Sequence, residues 1–161
     1  MSRRHAATIR KTSPDPKFNS IMLAKFINNV TKNGAKSLAS SIVYNALSLL
    51  ERKYDKDPIE VFNKAMENAT PLLEVKSLRV GGSNYQVPHA VESRRSTILA
   101  TRWLIKASQK RPEKSMVEKL AEELFEASCN KGGAVKMKDD SHKVAEANRA
   151  FAHFAVKRKK V

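Results

Sequence analysis

Apolar positions along the chain recur mostly at helical spacing. Leu23, Phe26, Ile27 and Val30 stand at i, i+3, i+4 and i+7 and predict an amphipathic helix. Ser20 stands where an N-cap belongs, and Gly34 where the helix would stop. A second helix sets Leu38, Ile42, Val43, Ala46, Leu47 and Leu50 on one side and ends near Tyr54. The third has the clearest start. Asp57 caps it, Pro58 takes the first helical position, and Glu60 completes a box-like spacing. Phe62, Ala65, Met66 and Ala69 form its core stripe.

The pattern then changes. Leu73 to Val80 is β-permissive, and Gly81-Gly82-Ser83-Asn84 tolerates positive φ. Tyr85-Gln86-Val87 predicts a returning strand that Pro88 limits. A lone two-stranded ribbon is marginal in water and needs a support. A fourth helix is expected from about Arg94 to Lys110. A fifth starts at Ser115, with Glu118 at capping-box spacing. Its stripe is Val117, Leu120, Ala121, Leu124 and Ser128, and Asn130 with Gly132-Gly133 ends it. A last helix, from about Asp140, carries Val144, Ala147, Phe151 and Phe154. The fold class is therefore mainly α, with about six helices and a protruding two-stranded β-ribbon between the third and fourth. No repeat or low-complexity linker divides the chain, so residues 1–161 read as one domain. A basic arm (about 1–17) and a basic tail (about 155–161) flank it.

Charge adds what periodicity cannot. The net formal charge is +15, and self-repulsion on that scale points to a polyanionic partner. Its distribution is uneven. Glu51 to Thr70 is near neutral. Met1 to Lys17 holds Arg3, Arg4, Arg10, Lys11 and Lys17 against Asp15 alone. Leu72 to Lys114 holds Lys76, Arg79, Arg94, Arg95, Arg102, Lys106, Lys110, Arg111 and Lys114, opposed by Glu74, Glu92 and Glu113. On the fourth helix Arg95, Arg102 and Lys106 fall within roughly 40° of one another. A basic stripe beside a core stripe lets one helix pack on the protein and lie along a phosphate backbone. Tyr85 stands beside the glycine turn, where it can stack on a base or pack across the strands. Trp103 reads as core.

Other chemistry finds little support. No apolar run approaches a membrane span, and Met1 to Lys17 has no apolar signal region. Cys129 is the sole cysteine and reads as a small buried hydrophobe near a helix end, with no internal disulfide open to it. His5, His89, His142 and His153 share no metal-ligand spacing. His142 can meet Asp139 and Glu146 on a helix, which reads as a surface arrangement. Gly132-Gly133 before Lys136 lacks the phosphate-loop spacing. No nucleophile stands with a base, so neither an enzyme nor a cofactor is expected. A nucleic-acid-binding protein of nucleoid type remains the alternative that charge alone allows.

Several segments carry a more specific resemblance. They are Pro14 to Phe18, Ala24 to Asn28, Ser41 to Tyr44, Glu74 to Ser77, Arg79 to Gly82, Tyr85 to Pro88, Arg94-Arg95, Arg102-Trp103 and Ala145 to His153. In this order they resemble the bacterial-type small-subunit ribosomal protein seven family over nearly the whole chain. The resemblance implies a helical domain with a protruding ribbon. It implies direct binding to the 3′ major (head) domain of 16S-type ribosomal RNA, and nucleation of head assembly. It further implies cytoplasmic ribosomes, neighbouring small-subunit proteins, and a position near the messenger exit channel and exit-site transfer RNA. The RNA-contacting candidates carried over are Arg3, Arg4, Arg10, Lys36, Lys76, Arg79, Tyr85, Arg95, Arg102, Lys136, Lys143 and Arg149. Ala35, Leu78, Ser93 and Met137 depart from the family pattern.

Overall fold

Ser20 opens the first helix as its spacing predicts. Its hydroxyl accepts the Leu23 N–H at 3.3 Å and so satisfies one of the orphan donors of helix α1 (Ile21–Val30). These elements come from a computed structural model that describes residues 10–156. The chain divides into two compact units, Met1–Ser41 and Ile42–Val161. In the first, the Asp15 carboxylate accepts the N–H groups of Lys17 and Phe18, both at 3.1 Å, shaping the turn before α1. Leu23, Phe26 and Ile27 are buried. The helix ends three residues earlier than Gly34 suggests. Its stop is Thr31, whose hydroxyl and N–H both donate to the Ile27 carbonyl. Gly34, at φ +78°, serves the turn that follows.

Helix α2 (Lys36–Tyr54) buries Ala39, Val43, Ala46, Leu47 and Leu50. Leu38 lies outside this stripe and is 60% exposed, contrary to the sequence reading. Ala39, not Leu38, is four residues before Val43 and shares its face.

In the second unit, Asp57 and Pro58 start helix α3 (Pro58–Ala69) as expected, with Asp57 Oδ1 accepting the Ile59 N–H at 2.9 Å. Helices α4 (Ser93–Gln109), α5 (Met116–Ser128) and α6 (Gly132–Ala147) pack with α3 around Phe62, Met66, Leu104, Leu120 and Leu124. Burying a side chain such as Leu124 removes it from water for about 1.5–3 kcal/mol. At α5 the Ser115–Glu118 capping box forms in both directions.

Strands β1 (Leu73–Val80) and β2 (Ser83–Ala90) form one antiparallel ladder closed by Gly81-Gly82. Both glycines have positive φ, +57° and +93°, as a two-residue hairpin turn requires. The strand runs through Pro88 to Ala90, further than the sequence suggests. Both strands of a ribbon are edges, and an edge accepts proline where the missing N–H would point outward.

The largest departure is α6, which begins at Gly132 rather than near Asp140 and ends at Ala147. Gly132-Gly133 starts this helix instead of only ending α5. Gly132 sits at φ +90°, and Glu123 of α5 accepts the Ala134 N–H at 2.8 Å, supplying the missing cap. Phe151 and Phe154 follow in a 3₁₀ turn (Arg149–Phe151) and a short helix, α7 (His153–Val156). Cys129 is exposed at the C-cap of α5, not buried, because the chain leaves the helix there.

Candidate nucleic-acid interface

Helix α4 divides its surface cleanly. Ser96, Ala100, Thr101, Leu104, Ala107 and Ser108 are buried, and these mostly small residues let neighbouring helices approach closely. Trp103 is half-buried on the flank. Arg95, Arg102 and Lys106 all emerge exposed on the remaining face, with Lys110 at its end. Among the described residues neither Arg102 nor Lys106 makes an ion pair. Unpaired cations along one helical face form a field for polyanions.

The ribbon separates the candidates that lie on it. Side chains alternate between its faces, and the register puts Lys76 opposite Val87 and Leu78 opposite Tyr85. Glu74, Lys76, Tyr85 and His89 therefore share one face. Arg79 lies on the other, opposite Asn84 and near the exposed Ser77 and Gln86. Tyr85 packs at 5.2 Å from both Phe151 and Phe154. The root of β1 is tied to α6, since the Leu72 N–H donates to His142 Nε2 at 3.0 Å. The ribbon is thus anchored by protein at its root and flank.

The structure brings Arg95 and Lys76 together around Glu74. Arg95 Nε lies 2.8 and 2.7 Å from the two Glu74 oxygens, and Lys76 Nζ is 3.4 Å from one of them. Burial pushes the Glu74 carboxyl up. The hydrogen bond and charge of Arg95, with help from Lys76 and His89, outweigh that and hold it below its ordinary value. Lys136 and Lys143 are exposed seven residues apart on α6, hence on one face, and Arg149 is exposed beyond its end. In the first unit Arg10 and Lys36 are exposed. Arg3, Arg4 and the basic tail after Val156 lie outside the described residues.

Not every cation is open. Arg111, counted with the basic excess in the sequence, is bound by three carboxylates. It donates to Glu113 at 3.0 Å, to Glu123 at 2.9 Å, and to Glu126 at 2.8 and 2.9 Å. The Glu126 hydrogen bonds raise its already high pKa further, and the same bonds hold the Glu126 carboxyl below its ordinary value. Lys53 pairs with Glu122, which also accepts the Tyr54 hydroxyl at 2.8 Å.

Sequence reasoning missed Glu74 and His89. A signal was present: a two-residue turn at Gly81-Gly82 places the two directly opposite each other. No group of three metal-ligating side chains occurs among the described residues, and no helix there is long and apolar enough to cross a membrane.

The family described as ribosomal protein S7p/S5e matches residues 2–149. The small ribosomal subunit protein uS7 of Rickettsia massiliae (strain Mtu5) is 59% identical over 160 residues, covering 99% of this chain and all of its own. Those of Rickettsia rickettsii (strain Sheila Smith) and Rickettsia felis are each 58% identical, over 160 and 158 residues. The former covers 99% of this chain and all of its own, the latter 98% and 99%.

Proposed function

The chain belongs to the ribosomal protein S7p/S5e family, whose members are ribosomal components and not enzymes, and on that footing we propose how it meets RNA. It is a structural constituent of the small subunit that binds the 3′ major (head) domain of the ribosomal RNA directly. It nucleates head assembly in cytoplasmic ribosomes, beside other small-subunit proteins. Its place is near the messenger exit channel and the exit-site transfer RNA. The observation that supports RNA contact best is the exposed row of Arg95, Arg102 and Lys106 on α4, whose first member reaches Glu74 at the root of the ribbon that carries Lys76 and Arg79. Lys136, Lys143, Arg149, Arg10 and Lys36 extend the candidate contacts, as do Arg3 and Arg4. Tyr85 joins them through whatever part of its ring the two phenylalanines leave open.

The test is binding to a transcript of the head domain, with an unrelated folded RNA of equal length as competitor, across a salt series. Persistent preference for the head transcript at physiological salt is the expected result. Equal and steeply salt-sensitive binding to both would contradict direct recognition of the head domain and leave only general electrostatic contact with nucleic acid.

A further inference from the structure

Glu74 is out of place by charge alone. It lies in a stretch where nine cations face three acids and where a carboxylate repels phosphate, yet it is only 7% exposed. Its surroundings explain why it stays charged. Arg95 Nε from α4 reaches both of its oxygens, at 2.8 and 2.7 Å. Lys76 Nζ from β1 is 3.4 Å away, and His89 Nε2 from β2 is 3.1 Å away. The other ring nitrogen of His89 is 3.1 Å from the Glu74 carbonyl, so whichever nitrogen carries the proton meets a Glu74 oxygen. One buried carboxylate thus gathers basic groups from three elements at the root of the ribbon.

The way Arg95 is held matters most. Glu74 engages it through Nε, and its terminal nitrogens have no protein acceptor among the described residues. The side chain is 51% exposed. A guanidinium fixed at Nε keeps its end-on fork free, and that fork matches two phosphate oxygens. The cluster also keeps its sign, since Arg95 and Lys76 outnumber the one carboxylate.

We propose that Glu74 is a positioning residue of the RNA interface, holding Arg95 and Lys76 at the ribbon root so that the terminal nitrogens of Arg95 clasp a backbone phosphodiester. The inference rests on the RNA-binding reading above and names the device behind it. Ordering a long side chain before binding lowers the entropy lost on binding.

The test is a double-mutant cycle on RNA affinity. Wild type, Glu74→Gln, Arg95→Lys and the double variant are titrated with head-domain transcript and with unrelated folded RNA. Urea midpoints confirm that each variant is folded at the assay temperature. Glu74→Gln removes a negative charge, so simple electrostatics predicts tighter binding. Positioning predicts binding weaker by about fivefold. Arg95→Lys keeps its charge and should weaken binding comparably. On the Arg95→Lys background the Glu74→Gln loss should largely vanish. Equal or tighter binding by folded Glu74→Gln overturns the proposal. So does a loss that persists undiminished without Arg95, or wild-type affinity in Arg95→Lys. Should wild type bind both RNAs equally, the head-domain reading fails, and the cycle still decides the role of Glu74 on either RNA.

Discussion

Arg102 and Arg111 lie on and just beyond the same helix, yet they sit in opposite settings. Arg102 is exposed on α4 with no ion pair among the described residues. Arg111 is enclosed by Glu113, Glu123 and Glu126. The first is available to a polyanion. The second is committed to the protein, where it links the end of α4 to α5 and to the carboxylate that caps α6. A net charge of +15 therefore overstates the charge offered to RNA. What matters is which cations keep donors that the fold leaves free: Arg111 commits all three nitrogens to carboxylates, whereas Arg95 is engaged through Nε alone.

The largest effect that would sharpen this contrast is on stability. Arg111→Met leaves Glu123, at 1% side-chain exposure, without its cation. Breaking such a pair from one side costs about 3–5 kcal/mol. Urea denaturation should show that loss, and a change under about 1 kcal/mol would return Arg111 to the ranks of surface cations. Next comes the interface. Arg102→Gln with Lys106→Gln should leave stability within about 0.5 kcal/mol per site, because neither side chain is buried. Affinity for the head transcript should fall by roughly tenfold or more at low salt, the scale of about 1.4 kcal/mol. Filter binding would read it, and unchanged affinity would remove Arg102 and Lys106 from the interface.

A smaller effect is on pH dependence. Hydrogen bonds from Arg111 hold Glu126 below its ordinary 4.5, so its folded-state value lies under its unfolded one. That stabilisation is complete above the ordinary value and is lost as pH falls through the folded one. The urea midpoint of wild type should drop below about pH 4.5. In Arg111→Met the same acidification should cost less. Equal acid sensitivity in both proteins would deny the coupling.

Much of the fold is legible where the chemistry is local. Ser115 with Glu118, Asp57 with Pro58, and Gly81-Gly82 each signal their element within a few residues, and each forms. The start of α6 is not legible, because its cap comes from Glu123 on the preceding helix. Leu38 misleads because apolar character alone does not say which side of a helix faces inward. The site divides the same way. The exposure of Arg95, Arg102 and Lys106 follows from helical period and a scarcity of nearby acids. The neutralisation of Arg111 and the gathering of Arg95 and Lys76 by Glu74 depend on which elements meet, and composition weighs every acid equally.

The most direct measurement of the central claim compares salt slopes. The dependence of head-transcript affinity on salt is recorded for wild type, for Arg102→Gln/Lys106→Gln, and for Lys53→Gln, which removes a cation already paired with Glu122. Each phosphate contact contributes about 0.7–0.9 to the slope. The α4 variant, which removes two cations, should therefore lose about 1.4–1.8, while Lys53→Gln keeps the wild-type slope. Equal losses in both variants would mean that RNA responds to total charge, and that pairing within the fold does not select the interface.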